Sequence, residues 1–249
     1  SDIWVMDTSG GIPTPVTSRG DIAGTPSWSP DGKRLAYTAG GPPNLFVAPV
    51  GGGPEQRISD SSHSQALPTW AADSRALVVT DTPNDPSSPT RSVLALLSFD
   101  RVASAERLLA GPFAEKQPRV SPDGQWLAYI SDESGRDELY VQAFPSGGAK
   151  RRLSASGAAF PRWTADGRVL FFSAPDNVLT AVDTHSSRTL DADPPRPLFQ
   201  LPEGGQSGTP NWDVSPDGER IYTLAPAGDR QTATLSVVAN WQKLIYRPD

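Results

Sequence analysis

Apolar and polar positions alternate along this chain in short runs with a period of two, and helical spacing is nowhere sustained over three turns. The clearest run is Pro26-Ser-Trp-Ser-Pro-Asp-Gly-Lys-Arg-Leu-Ala-Tyr37. Its pattern predicts a strand ending at Trp28, a reversal over Ser29-Pro30-Asp31-Gly32, and a second strand from Arg34 to Thr38. Proline presets the first central dihedral of such a turn, aspartate hydrogen-bonds nearby backbone, and glycine takes a positive φ without steric cost.

This hairpin recurs. Aligned on the turn aspartate, the copies fall at Asp31, Asp73, Asp123, Asp166 and Asp217, with spacings of 42, 50, 43 and 51 residues. Gly32, Gly124, Gly167 and Gly218 follow the aspartate in four copies; the second turn, Ala71-Ala-Asp-Ser74, has lost both proline and glycine. The residue before each turn is Trp28, Trp70, Val120, Trp163 or Val214, a large apolar slot. Two residues earlier stand Pro26, Pro68, Pro118 and Pro161, with Trp212 breaking the pattern. Proline lacks a ladder donor and so suits an edge strand. A second apolar strand follows each turn, then a third (Leu45-Phe-Val47, Val93 to Leu97, Leu139 to Phe144, Val178 to Val182, Ala233 to Val238) and, in most copies, a fourth.

Each unit therefore reads as four antiparallel strands in about 40 to 50 residues, the period of a propeller blade. A lone blade cannot bury both faces, so blades must stack, with Trp28, Trp70 and Trp163 expected in the gaps. Residues 1–7 read as a third strand and 14–17 as a fourth, without the two inner strands. The expected fold is all-β: a β-propeller with about six blade positions, the blade at the chain ends incomplete. We expect one domain over 1–249, with a half-blade at 1–25 and repeats at 26–67, 68–117, 118–160, 161–210 and 211–249. Leu244-Ile-Tyr246 is a candidate last strand.

Composition narrows the function classes. The chain has 249 residues, no cysteine and a net charge of −6. Thiolate metal sites and disulfides are excluded. The acidic balance works against nucleic acid and anionic membrane, which need a basic field. Lys150-Arg151-Arg152 is the tight basic run and reads as a guarded outer strand. No signal peptide or membrane-length apolar run is present.

The pattern Pro-x-Trp-Ser-Pro-Asp-Gly-Lys-x-Leu-Ala-Tyr at 26–37 resembles the TolB-like, WD40-like propeller repeat, as does Pro118 to Ile130. Arg119 to Gly135, Pro195-Arg-Pro-Leu-Phe199, Asp213 to Gly218 and Val237-Val-Ala-Asn-Trp241 are similar to the C-terminal propellers of bacterial receptor-type serine/threonine kinases. That resemblance implies a periplasmic or extracytoplasmic sensor end of a larger signalling protein. The chain itself has no glycine-rich phosphate loop, no His-Arg-Asp loop and no Asp-Phe-Gly.

Candidate chemistry is sparse. Two histidines, His63 and His185, stand apart, and neither a histidine cluster nor a calcium loop occurs. Gly204-Gly-Gln-Ser-Gly208 only imitates a nucleophile elbow and reads as a loop. His185 is expected in a rim turn, and Asp191-Ala-Asp193 in a solvated loop. The turn aspartates read as structural. Functional information is expected where the copies differ: Ser27, Thr69, Arg119, Arg162 and Asp213 one residue before the apolar slot, and Thr25, Leu67, Gln117, Phe160 and Asn211 three before it. Inner strands line a propeller axis, so Arg119, Arg162, Asp213, Gln117 and Asn211, with His63 in a loop, are the candidate ligand-binding residues. The reading is a non-catalytic recognition or sensor module that binds a protein, peptide or small ligand at the channel mouth, with no cofactor and no metal. The alternatives are a TolB-like periplasmic interaction component and the propeller domain of a hydrolase or lyase.

Overall fold

The computed structural model describes residues 2–7, 11–18, 20, 23–85, 87–88, 91–99, 105–109, 111–186, 189–202, 209–226 and 233–239. Among them the chain is a succession of strands: β1 (Trp4–Val5), β2 (Thr14–Pro15), β3 (Ala23–Trp28), β4 (Arg34–Ala39), β5 (Asn44–Pro49), β6 (Gln56–Arg57), β7 (Ser64–Trp70), β8 (Ala76–Thr82), β9 (Val93–Ser98), β10 (Ala105–Arg107) and β11 (Glu115–Val120). There follow β12 (Trp126–Ser131), β13 (Glu138–Ala143), β14 (Arg151–Arg152), β15 (Ala159–Trp163), β16 (Val169–Ala174), β17 (Val178–Ser186), β18 (Leu190–Ala192), β19 (Arg196–Gln200), β20 (Trp212–Val214), β21 (Arg220–Pro226) and β22 (Ala233–Ala239). They form antiparallel meanders with the strand orders β1-β2, β3-β4-β5-β6, β7-β8-β9-β10, β11-β12-β13-β14, β15-β16-β17-β18 with β19 also on β17, and β20-β21-β22. These are the repeated four-stranded blades, the first represented by its outer pair. The predicted last strand at Leu244–Tyr246 lies outside the described residues, as does the 204–208 loop. The chain divides into two compact units, 1–120 and 121–249.

The turns form as their residues dictate. Ser29 Oγ–H donates to Asp31 Oδ1 (2.5 Å), Asp31 Oδ1 accepts Lys33 N–H (3.0 Å), and Ser29 Oγ accepts Arg34 N–H (2.9 Å). The same frame recurs at Ser121–Asp123, Thr164–Asp166 and Ser215–Asp217. At the degenerate turn Ser74 takes the glycine position at φ 60°, and Ala71 has no hydroxyl to offer.

The prolines mark a feature invisible in the alternation. Register shifts between Gly24 and Ser27, between Ala66 and Thr69, and between Ala159 and Arg162. The residue before each proline sits at positive φ: Thr25 48°, Leu67 52°, Gln117 56° and Phe160 54°. The three register shifts are bulges in a first strand at the sheet edge, where a missing donor is harmless, and Gln117 shares their backbone conformation. Asn211, with no proline after it, is not in this conformation.

Both faces of the central strands are buried. In the first unit Leu35, Tyr37, Phe46 and Ala48 pack with Ile3 on one side, while Ala36, Leu45 and Val47 pack with Trp70, Leu77 and Val79 on the other. In the second unit Ile130, Leu139 and Val141 meet Leu170, Phe172 and Val182, and Phe171, Leu179 and Ala181 meet Trp212 and Ile221. Trp70 fills its gap at 4% exposure and donates its indole N–H to the Ser27 carbonyl (3.0 Å). Trp163 is partly buried against its own cluster. Trp28 departs from expectation at 49% exposure. Among the described residues the sheet before it in the chain has two strands, β1 and β2.

Two further expectations change. His185 lies on β17, paired with Asp191 of β18, because β17 runs on past its apolar core and recruits an extra strand. Asp191 is correspondingly a strand residue, in an ion pair with Arg151 (2.9 Å). That guanidinium and the Ala192 N–H hold the Asp191 carboxyl below the usual range.

Candidate binding site

The inner strands place the variable residues, and the turns fix the strands. In those turns the Ser29, Thr164 and Ser215 hydroxyls, followed by a backbone N–H, hold Asp31, Asp166 and Asp217 below the ordinary carboxylate range. A carboxylate stabilised in this way by donors is an anchor rather than a proton carrier.

Arg162, on β15, is mostly buried. Its Nε–H donates to Asp213 Oδ1 on β20 (3.1 Å), its Nη1–H to the Pro161 carbonyl (2.9 Å), and its guanidinium lies 5.8 Å from the Trp212 ring centroid. Two of the sequence-predicted site residues are thus brought together as an ion pair. Arg119, on β11 of the first unit, makes the same local bond, Nη1–H to the Pro118 carbonyl (2.8 Å). Gln117, at positive φ before Pro118, donates its N–H to Thr80 Oγ1 (2.9 Å). Asn211 is buried; its Nδ2 donates to the Pro202 carbonyl (2.8 Å) and its own carbonyl accepts Leu224 N–H (2.7 Å). His63 stands half-exposed in the loop between β6 and β7, with Nδ1 2.9 Å from Asp81 Oδ1. A partner on Nδ1 leaves Nε2 as the ring atom open to a ligand.

The first unit also holds a cleft of about 440 Å³. The β4–β5 loop (Gly40, Gly41, Pro42) and the β6–β7 loop (Asp60, Ser61, Ser62) form its walls, with Asn44, Phe46 and Arg57 between them. Arg57 is pinned by Nε–H to the Ser59 carbonyl (2.8 Å) and Nη2–H to Asp60 Oδ1 (2.6 Å). Its remaining N–H groups and the second Asp60 oxygen offer a donor set beside an acceptor. His63 follows Ser62 directly.

The cleft is framed by a clasp that the turn-based alignment overlooked. Asn44 Nδ2 donates to the Pro42 and Ser61 carbonyls (3.1 and 3.0 Å), and its Oδ1 accepts Ser59 Oγ–H (3.2 Å) and Ser61 N–H (2.6 Å). Ser59 Oγ in turn accepts Leu45 N–H (2.9 Å). The arrangement recurs: Thr17 Oγ1 accepts Ile3 N–H (2.9 Å) and donates to Asp2 (3.1 Å), and Ser154 Oγ accepts Leu139 N–H (2.8 Å) and donates to buried Glu138. The signal was present as Arg57-Ile-Ser59 and Arg152-Leu-Ser154, each ending in a hydroxyl two residues after an arginine.

No family model matches the chain. In sequence it is similar to the uncharacterized peptidase YuxL of Bacillus subtilis, 26% identical over 171 residues that cover 55% of this chain and 26% of that protein. It is also similar to the Tol-Pal system protein TolB of Bordetella pertussis, 28% identical over 150 residues, 59% of this chain and 33% of TolB. The chain thus spans a third or less of the length of these relatives. Among solved structures, TolB from Acinetobacter baumannii superposes with a TM-score of 0.73 at 20% identity, covering 95% of this chain and 56% of that one. An oligogalacturonate lyase in complex with manganese superposes at 0.67 and 15% identity, covering 98% and 69%. The fold is therefore a β-propeller of four-stranded antiparallel blades. Within that class it is TolB-like, as the repeat motif implied. No helix among the described residues is long and apolar enough to cross a membrane.

Proposed function

We propose that the chain is a non-catalytic recognition propeller that binds a protein or peptide, and that it serves as the extracytoplasmic part of a larger signalling protein. The observation that carries the binding role is the cleft between the β4–β5 and β6–β7 loops. It has fixed walls, a pinned guanidinium beside a carboxylate, and a volume within the range of ligand pockets. Arg119 and Arg162 are the proposed charge-assisted donors on the inner strands. The TolB-like fold supports the same role, and the similarity to the C-terminal propellers of receptor-type kinases supports the sensor setting. A random peptide library selected on the immobilised chain tests the binding role. Enriched peptides are expected to lose about tenfold in affinity when Arg57→Ala or Asp60→Ala is introduced; enriched peptides indifferent to both would reject the cleft. The reading frame upstream of Ser1 tests the setting, with an effector domain and a single membrane span expected.

A second reading is favoured by the similarity to peptidase YuxL: the chain would be the propeller of a longer hydrolase. It predicts a hydrolase domain elsewhere in the parent protein and no dependence of peptide capture on Arg57.

A further inference from the structure

The hydrogen bonds around the cleft between the β4–β5 and β6–β7 loops leave few groups for a ligand. Asn44 lines it but is saturated, with Nδ2 donating to two carbonyls and Oδ1 accepting twice. Phe46 is buried and stacked on Tyr37, with 5.8 Å between centroids. The Ser61 N–H and carbonyl are engaged by Asn44, and its Oγ accepts His63 N–H (3.0 Å). The Ser62 carbonyl is taken up by Asn84. Recognition therefore falls to Arg57 and Asp60, the two charged residues of the lining.

Their geometry is selective. Arg57 uses Nε–H on the Ser59 carbonyl and one Nη2–H on Asp60 Oδ1. The Nη1 N–H groups, the second Nη2 N–H and Asp60 Oδ2 are left without a partner among the described residues. Donors and an acceptor thus stand side by side. The two side chains are 50% and 83% exposed, and an ion pair so open to water adds little to stability. A carboxylate on Arg57 would bring an oxygen against Asp60, and an ammonium on Asp60 would meet Arg57; both contacts are repulsive. A neutral group with an acceptor beside a donor suits both ends. A trans backbone amide turns its C=O and N–H in opposite directions and cannot offer the two on one edge. A primary carboxamide can, because its oxygen and one N–H share an edge.

We propose that the cleft recognises the side-chain carboxamide of a glutamine or asparagine in a peptide partner. The carboxamide oxygen accepts from Arg57 and its NH2 donates to Asp60 Oδ2. This assignment rests on the peptide-binding reading of the cleft and adds the side chain that it selects. Asp60 is the selecting residue. Without it the guanidinium is unopposed, and a carboxylate becomes the better ligand.

The test is an NMR titration of the 249-residue chain, following the Arg57 Nε–H and Ser61 N–H signals. The probes are glutamine, asparagine, glutamate and leucine, each N-acetylated and capped as the N-methylamide. Glutamine or asparagine is expected to shift both signals saturably, with glutamate and leucine weaker by about tenfold or more. In Asp60→Ala the order should reverse, glutamate binding above glutamine, with little change in the thermal midpoint of the free chain. Equal or tighter binding of glutamate by the unaltered chain overturns the assignment, as does a carboxamide preference that survives Asp60→Ala. Absence of shifts with every probe overturns it too. If selected library peptides then still depend on Arg57, peptide binding at the cleft stands and only the carboxamide assignment falls. Acetamide binding as tightly as capped glutamine would make the ligand a free amide and overturn the peptide source.

Discussion

At the scale of single residues, the hydroxyl that opens the Ser/Thr-x-Asp-Gly turns decides how well each of them is held. Ser121 Oγ–H donates to Asp123 Oδ1 (2.5 Å) and its oxygen accepts Trp126 N–H (2.9 Å). Ser121→Ala should therefore cost about 1–2 kcal/mol in urea unfolding. The converse is available where the frame is already incomplete. The Ala71 turn keeps the backbone bonds Ala71 N–H to Ala76 C=O and Ser74 N–H to Ala71 C=O (both 2.9 Å), so Ala71→Ser should add the missing hydroxyl bonds and raise stability by about 0.5–1 kcal/mol. These turns also set an acid response. Asp31, Asp166 and Asp217 have folded pKa values lowered from 3.8, so the unfolded chain takes up protons first as pH falls. Their contribution is complete above that value and is lost as pH drops through the lowered folded values. Urea midpoints measured from pH 5 down to pH 2 should fall below about pH 4, less steeply in Thr164→Val.

At the scale of elements, the clasp and the contacts between neighbouring sheets hold the strands in place. Asn44 uses all four of its side-chain hydrogen-bonding positions in a buried site, and Asn44→Ala leaves Ser61 without its anchor, while Ser59 keeps its bonds to Leu45 N–H and Gln65 Oε1. The expected loss is about 2–3 kcal/mol, with earlier amide exchange at Ser61. In the second unit the turns of adjoining sheets touch. Ala165 N–H donates to the Pro216 carbonyl (3.0 Å), and a Cβ at Gly218, where φ is +72°, would lie 2.7 Å from Thr164 Cγ2. Gly218→Ala should destabilise by about 1–3 kcal/mol in thermal melts, from both the conformation and the overlap. The Arg162–Asp213 pair belongs to this scale as well. A double-mutant cycle with alanine at both positions should return a coupling near 1 kcal/mol, because one partner is mostly buried and the other is exposed to solvent.

At the scale of the molecule, the blades and the binding surfaces were legible to different degrees. Apart from β18, the strand order of the four-stranded sheets follows from the recurrence of Ser-Pro-Asp-Gly and from alternating apolar runs, because a two-faced sheet has few other ways to bury itself. Arg119, Arg162 and Asp213 were legible as differences between copies, but their partners were not. The Arg162–Asp213 pair joins residues 51 apart, a distance that no local pattern encodes. His63 could be placed in a loop from sequence; that Asp81 holds its Nδ1 required β8 to bring the carboxylate there. The cleft was not legible at all, since its walls come from two loops that meet only when β5 and β6 pair.

The same division applies to Trp28 and the turn that follows it. The sequence by itself determined that this tryptophan ends a strand, that Ser29-Pro30-Asp31-Gly32 reverses the chain, and that the unit repeats as four-stranded sheets. Those are local matters of dihedral preference and alternation. Only the tertiary structure decided that Trp70 is covered while Trp28 is bare, that the residue before each bulge proline turns to positive φ, and that Arg57 is fixed against Asp60. Burial depends on which strand occupies the neighbouring position, and a side chain's surroundings are set by residues far along the chain.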